Sequence, residues 1–258
     1  MIKLVACDID GTLLHGDDTR INPKIFEKIK LLKQKGILFC AASGRQYINL
    51  QRLFTPVADE IYYSCENGAV VFGPGNPGPL LGKTVMDRDL VRKLSQEIMD
   101  QPNCEVLFSG AYMCYLWPKK PDTLELISPF VDKLITVGSI DEITEDFVKV
   151  SAYCRDGAAK YERMWGPVWS SHCNVAIGGE KWLDFTLSDK GVGIATVCRA
   201  LGIHPSEVMA IGDNYNDLPM LKLVGSPVIM ENAVPELRNM FTRKCRDVES
   251  VLDELLNT

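Results

Sequence analysis

The stretch Val5-Ala6-Cys7-Asp8-Ile9-Asp10-Gly11-Thr12-Leu13-Leu14 opens as a buried strand and ends as a loop, and the rest of the chain is arranged around that change. Ile2, Leu4, Val5, Ala6 and Cys7 form a nearly unbroken apolar run, the pattern of a strand covered on both faces of a parallel sheet. Asp8 and Asp10 interrupt it. Side chains two apart on an extended backbone point the same way, so both carboxylates are expected to leave the strand's carboxyl end on one side. That is the edge where open α/β sheets bind ligands. Gly11 permits the sharp departure that follows, and Thr12 can tie the turn through its hydroxyl. Two acids held this close repel unless a cation or a proton sits between them, so the pair asks for a divalent metal. Asp-Gly is also an ordinary turn signal, but a turn alone does not need a second acid at the mouth of a buried strand.

Outward from this stretch the pattern is strand, helix, strand. Asn22-Pro23 followed by Ile25, Ile29 and Leu32 predicts a capped helix with Gly36 just past its end. Ile37 to Ala42 is a second apolar run, which makes a right-handed βαβ unit and brings Ser43-Gly44-Arg45 to the same edge as Asp8. After a further helix (46–54) and strand (61–64), Gly73-Pro74-Gly75-Asn76-Pro77-Gly78-Pro79 is a turn cluster. From about Lys83 to Thr186 the pattern is mixed: a helix through Leu90, Leu94 and Ile98, a helix around 121–131, and strands near 105–108, 112–117, 134–137 and 148–153. Regular alternation then resumes. Lys190-Gly191 opens a helix closed by Gly202, and the strand 208–211 delivers Gly212-Asp213-Asn214-Tyr215-Asn216-Asp217. The strand 227–230 and a helix from about Val248 to Leu256 finish the sheet. The expected fold is α/β: a Rossmann-like, doubly wound parallel-sheet core of residues 1–82 and 187–258, with a smaller α/β cap domain, residues 83–186, inserted.

Among 258 residues, 46% are hydrophobic and 24% charged, which is neither disordered nor membrane-like. A net charge of -6 without a run of Lys and Arg argues against nucleic acid as a partner. No segment reaches the roughly 20 apolar residues of a membrane span, and Lys3 before a short apolar stretch makes no signal peptide. The nine cysteines are scattered, odd in number and never spaced C-x-x-C, so they read as reduced core residues of a cytoplasmic protein. The chain is expected to be a monomer or weak homodimer.

Asp8, Asp10 and Asp213 supply hard oxygens suited to Mg²⁺, which uses a few carboxylates plus substrate phosphate. Lys190, Ser43, the Gly44 backbone N–H and the Asn216 amide supply donors for phosphate oxygens. Separately, Ser43-Gly44 reads as a turn and the 212–217 segment as a helix cap. Together they form a site for a phosphoryl group. Arg45 stands where it can contact the leaving group or the cap. The three histidines share no ligand spacing.

Asp8-Ile9-Asp10-Gly11-Thr12-Leu13, Ser43-Gly44-Arg45, Lys190-Gly191 and Gly212-Asp213-Asn214-Tyr215-Asn216-Asp217 resemble the four signature motifs of the haloacid dehalogenase-like hydrolases. The insert between the second and third motifs, with Asn67-Gly68-Ala69 and Met230-Glu231-Asn232-Ala233, resembles the Cof-type phosphatase branch. The resemblance implies that Asp8 is the nucleophile and becomes an aspartyl phosphate, and that Asp10 serves as general acid and base. It implies Mg²⁺ held by Asp8, by the Asp10 backbone carbonyl rather than its side chain, and by Asp213. Ser43, Gly44, Lys190, Asn216 and the Ile9 N–H would hold the phosphate, and Asp217 would orient Lys190 or a metal-bound water. The implied activity is hydrolysis of a small-molecule phosphate ester, a sugar phosphate or similar. A phosphotransferase or mutase of sugar phosphates and a non-catalytic phosphometabolite-binding regulator are the alternatives.

Overall fold

The computed structural model describes residues 1–16 and 18–257. The chain divides into two compact units, one of Met1–Arg45, Leu50–Gly82 and Asp189–Thr258, the other of Gln46–Asn49 and Lys83–Ser188. In chain order come β1 (Leu4–Cys7), α1 (Pro23–Gln34), β2 (Leu38–Ala42), α2 (Tyr47–Leu53), β3 (Tyr62–Cys65), β4 (Val70–Phe72) and β5 (Leu80–Lys83). The second unit holds α3 (Arg88–Asp100), β6 (Cys104–Ser109), β7 (Cys114–Trp117), α4 (Thr123–Ile127), β8 (Leu134–Thr136), β9 (Lys149–Cys154), α5 (Ala158–Trp169), β10 (Asn174–Gly179) and β11 (Trp182–Thr186). The chain closes with α6 (Lys190–Leu201), β12 (Val208–Gly212), α7 (Leu218–Leu223), β13 (Ser226–Met230), α8 (Pro235–Arg238), β14 (Lys244–Cys245) and α9 (Val248–Leu256).

The first unit is built on an eight-stranded sheet in the order β14-β13-β12-β1-β2-β3-β4-β5. From β14 to β3 neighbouring strands are parallel, and β4 turns antiparallel to β3. β1 is buried along its whole length because both faces are covered, which is why its sequence is apolar without alternation. Ala6 lies opposite Cys40 and Ala210, and these small side chains pack with Leu4, Ile194, Val197 and Ile229. Truncating a fully buried leucine such as Leu4 to alanine would cost about 2–5 kcal/mol. Helix ends follow local chemistry. Asn22 accepts from the Lys24 N–H with Pro23 at the first turn of α1, Asp189 accepts from the Val192 N–H at the start of α6, and Gly202 ends α6 in the left-handed conformation.

The second unit is a six-stranded sheet, β10-β11-β9-β6-β7-β8, antiparallel except at β7–β8. One face buries Val106, Phe108, Val150, Ala152 and Phe185 against α3 and α5; the other face sets Leu107, Leu116 and Tyr153 against Ile127 of α4. The helix expected over 121–131 is broken: α4 stops at Ile127 and a 3₁₀ turn spans Ser128–Phe130, because Pro129 cannot continue the ladder. α5 and the β10–β11 hairpin are elements that sequence reading leaves out. Tyr161, Trp165 and Trp169 make a buried stripe at helical spacing, but Gly166 and Pro167 within the last turns mask it.

Candidate active site

Parallel topology gathers the carboxyl ends of β1, β2, β3 and β12 at one edge, and the residues just beyond them form the site. Asp8 follows β1 and is buried. Its Oδ1 accepts from Lys190 Nζ at 2.5 Å and its Oδ2 from Thr12 Oγ1 at 3.2 Å. The Ile9 backbone N–H adds a further donor. Asp213 and Asp217 arrive from the loop after β12. Thr12 Oγ1 lies 3.1 Å from Asp213 Oδ1, so this one hydroxyl touches carboxylates 205 residues apart.

Lys190, the first residue of α6, is buried between two acids, 2.5 Å from Asp8 Oδ1 and 2.5 Å from Asp217 Oδ1. The other Asp217 oxygen accepts from the backbone N–H groups of Asp213 and Asn214, at 2.9 and 3.0 Å, which ties the loop's shape to the lysine. Gly212 leaves room for this fold-back, since a Cβ there would stand 2.6 Å from Asp217. Asn232 donates to the Gly11 carbonyl at 2.8 Å and reaches Asp213 Oδ2 at 3.4 Å.

Burial pushes the Asp8 carboxyl well above the usual carboxylate range, the charge of Asp217 pushes it further, and Lys190 opposes both. Asp213 is raised by the same two causes, opposed by Thr12. Burial works to neutralise Lys190, but the attraction of Asp217 and Asp8 outweighs it and keeps the ammonium charged. Ligand atoms of Asp8, Asp213 and Asp217 all lie within 4.8 Å of one another. With all three carboxylates ionised, the one ammonium between them would leave two net negative charges in a largely buried cluster, which is why burial favours protons there until a cation takes their place. A divalent cation with a preference for oxygen donors would balance that charge; with both Asp217 oxygens engaged by Lys190 and the backbone, Asp8 and Asp213 are the carboxylates that fit Mg²⁺.

The third carboxylate of this cluster is that of Asp217, where the residue pattern alone has the Asp10 side chain. The backbone does not stay extended: the N–H groups of Thr12, Leu13 and Leu14 all point to the Ile9 carbonyl, and Gly11 takes φ +89°. The Asp10 carboxylate is exposed instead and receives Arg45 through two guanidinium bonds, Nε to Oδ2 at 2.9 Å and Nη2 to Oδ1 at 2.5 Å. Arg45 is thus engaged with Asp10.

Ser43 is buried at the end of β2, and its Oγ accepts from the Arg45 N–H at 3.2 Å. Gly44 is crowded by Asn67, whose amide lies 3.2 Å from where a Cβ would be. Asn216 Nδ2 donates to Asn67 Oδ1 over 3.4 Å. Asn67 and Asn232 are residues here to which the sequence pattern assigns no task. For Asn67 the available signal is an Asn-Gly pair directly after a parallel strand.

A parallel sheet with a buried lysine–carboxylate cluster at its carboxyl edge, interrupted in sequence by a second α/β unit, defines the class: a Rossmann-like α/β protein with a cluster that could hold a metal ion. The sequence profile of the haloacid dehalogenase-like hydrolases matches residues 5–250, and the chain belongs to that family, in its Cof-type branch. It is 27% identical over 241 residues to a 5-amino-6-(5-phospho-D-ribitylamino)uracil phosphatase of Escherichia coli, covering 90% of this chain and 86% of the relative. Phosphoglycolate phosphatase 1 of Saccharolobus solfataricus is 25% identical, with 99% and 96% covered. Among solved structures, a protein of Eubacterium rectale superposes with a TM-score of 0.85 at 27% identity over 98% of this chain and 99% of its own. A haloacid dehalogenase subclass IIB sugar phosphatase shares the fold, with a TM-score of 0.78 at 20% identity over 98% of each chain. Among the described residues no helix is long and apolar enough to cross a membrane.

Proposed function

We propose that this enzyme, a phosphatase of the haloacid dehalogenase-like family, hydrolyses small phosphorylated metabolites with Mg²⁺ through an aspartyl phosphate on Asp8. The observation that carries this reading is the setting of Asp8. It is a buried carboxylate whose two oxygens are held by Lys190 and Thr12, just beyond the carboxyl end of β1.

In this reading Asp8, oriented by those two contacts, attacks phosphorus in line with the leaving oxygen. Ser43, the Gly44 N–H, the Ile9 N–H, Lys190 and Asn216 hold the phosphoryl oxygens and offset their charge. Asp10, kept on the solvent side by Arg45, passes a proton to the leaving oxygen and takes one from the water that hydrolyses the aspartyl phosphate. Asp217 acts through Lys190 and the Asp213 backbone and touches no substrate. Mg²⁺ held by the Asp8 and Asp213 carboxylates and the Asp10 backbone carbonyl would screen nucleophile from phosphate. The nine cysteines are free and buried, in keeping with a reducing, cytoplasmic setting.

A panel of sugar phosphates and other phosphomonoesters tests this reading. Mg²⁺-dependent release of inorganic phosphate, inhibited by vanadate, is expected. Transfer of the phosphoryl group to a second sugar position without free phosphate would show a mutase, and binding without turnover a regulator.

A further inference from the structure

Glu66-Asn67-Gly68 follows β3 with three successive positive φ values, 50°, 54° and 85°. Left-handed backbone is ordinary for Gly68 but strained for Glu66 and Asn67, and both of these are buried. Strain of this kind persists only where the surroundings over-determine it, and here they do so from three sides.

The Asn67 N–H donates to the Ser43 carbonyl at 3.0 Å and the Glu66 N–H to the Arg45 carbonyl at 3.1 Å, which fastens the turn to the loop after β2. Gly68 abuts the start of α6: a Cβ there would stand 2.0 Å from the Asp189 carbonyl and 3.0 Å from the Gly193 nitrogen. The Asn67 amide meets Gly44 on one side and accepts from Asn216 on the other. One strained turn therefore touches the loop of Ser43 and Gly44, the helix start that carries Lys190, and the side chain of Asn216.

We infer that Asn67 is a positioning residue for phosphate recognition: its amide, presented by the left-handed turn, fixes Asn216 against the Ser43-Gly44 loop so that their donors converge on one phosphate. An amide oxygen can only accept, so Asn67 Oδ1 selects the orientation of Asn216 that turns its N–H₂ end toward Asn67, whose own amide borders Gly44. This inference rests on the phosphate-holding roles proposed above for Ser43, Gly44, Lys190 and Asn216.

The test is the Asn67→Gly enzyme, since glycine adopts φ 54° freely and only the amide is lost. With p-nitrophenyl phosphate as substrate and inorganic phosphate as competitive inhibitor, the inhibition constant and KM are expected to rise together by about tenfold, the loss of one well-placed polar contact. The Mg²⁺ concentration for half-maximal activity should stay put, because the Asn67 amide borders Gly44 and Asn216, which hold phosphate in this reading, and not metal. Adding Asn216→Ala should cost little more, since the two residues act as one unit. Asn67→Asp keeps shape and acceptor but sets a negative charge beside the donors, so it should also weaken phosphate. Inhibition constants within about twofold of wild type for both variants would overturn the inference, as would losses at 67 and 216 that multiply or an equal shift in Mg²⁺ dependence. If wild type is inhibited by phosphate and the variants match it, this inference alone falls. If phosphate does not inhibit wild type, or Asp8→Asn keeps full turnover, the phosphatase mechanism falls and takes this inference with it.

Discussion

Lys190 Nζ stands 2.5 Å from Asp8 Oδ1, a contact that joins residues 182 positions apart and is buried on both sides. The parallel order of β12, β1 and β2 makes it: β1 aims Asp8 out of the sheet, and α6 begins where that carboxylate emerges. Its consequences are measurable.

Removing the ammonium with Lys190→Met takes the one positive charge out of the buried cluster and leaves the Asp217 side chain without its partner. We expect a loss of about 3 kcal/mol in unfolding free energy, the usual scale for breaking a buried pair from one side, together with loss of turnover. Urea titration in the absence of metal checks the first, and a midpoint equal to wild type would contradict it.

Asp10 lies outside the acidic cluster and is held by Arg45, so Asp10→Asn should separate metal binding from catalysis. Turnover of an ester with a poor leaving group should fall about 10²–10⁴-fold, the range for losing a general acid–base, while Mg²⁺ affinity by calorimetry changes little. An equal collapse of Mg²⁺ affinity would mean that the Asp10 side chain is itself a ligand.

Gly11 takes φ +89°, and a Cβ there would stand 2.2 Å from Asp213 Oδ2. Gly11→Ala should therefore displace Asp213 and strain the turn, weakening Mg²⁺ binding and costing about 1–3 kcal/mol of stability. Wild-type values for both would show that the loop has slack which the geometry does not suggest.

The raised carboxyls of Asp8 and Asp213, caused first by burial and then by Asp217, set the sign of the pH dependence. Without metal the folded protein holds protons at these sites that the unfolded chain releases above its ordinary carboxyl value of 3.8. Raising pH upward from that value should therefore lower the stability of the metal-free protein. A cation must displace those protons, so Mg²⁺ affinity should rise with pH and binding should release protons. Calorimetry in two buffers of different ionisation enthalpy reads the release directly; proton uptake would contradict the assignment. Chelation should abolish turnover and added Mg²⁺ restore it.

Much of the scaffold is legible in the chain because it depends on local pattern. The apolar run of β1, the Asn22-Pro23 start of α1, Lys190 and Gly202 at the ends of α6, and α9 from Val248 to Leu256 all follow from periodicity and caps. That Asp8, Asp213 and Lys190 meet is legible too, since each sits at the exit of a parallel strand or the mouth of a helix. What escapes is whatever depends on backbone direction after the strand ends. The alternation argument carries Asp10 beside Asp8, but the coil around the Ile9 carbonyl sends its side chain to Arg45 and leaves the third place to Asp217. Pro167 hides α5, and no local signal tells that the strained Asn67 touches three distant segments.

In the proposed mechanism Asp8 itself carries the phosphoryl group. Acid quench during steady turnover, borohydride reduction and mass spectrometry of the peptide spanning Asp8 measure this, because an acyl phosphate is reduced to an alcohol and a free carboxylate is not. Residue 8 alone is expected to appear as homoserine, and only when substrate and Mg²⁺ are both present. Unmodified Asp8 under conditions of full turnover, or reduction at another carboxylate, would contradict it.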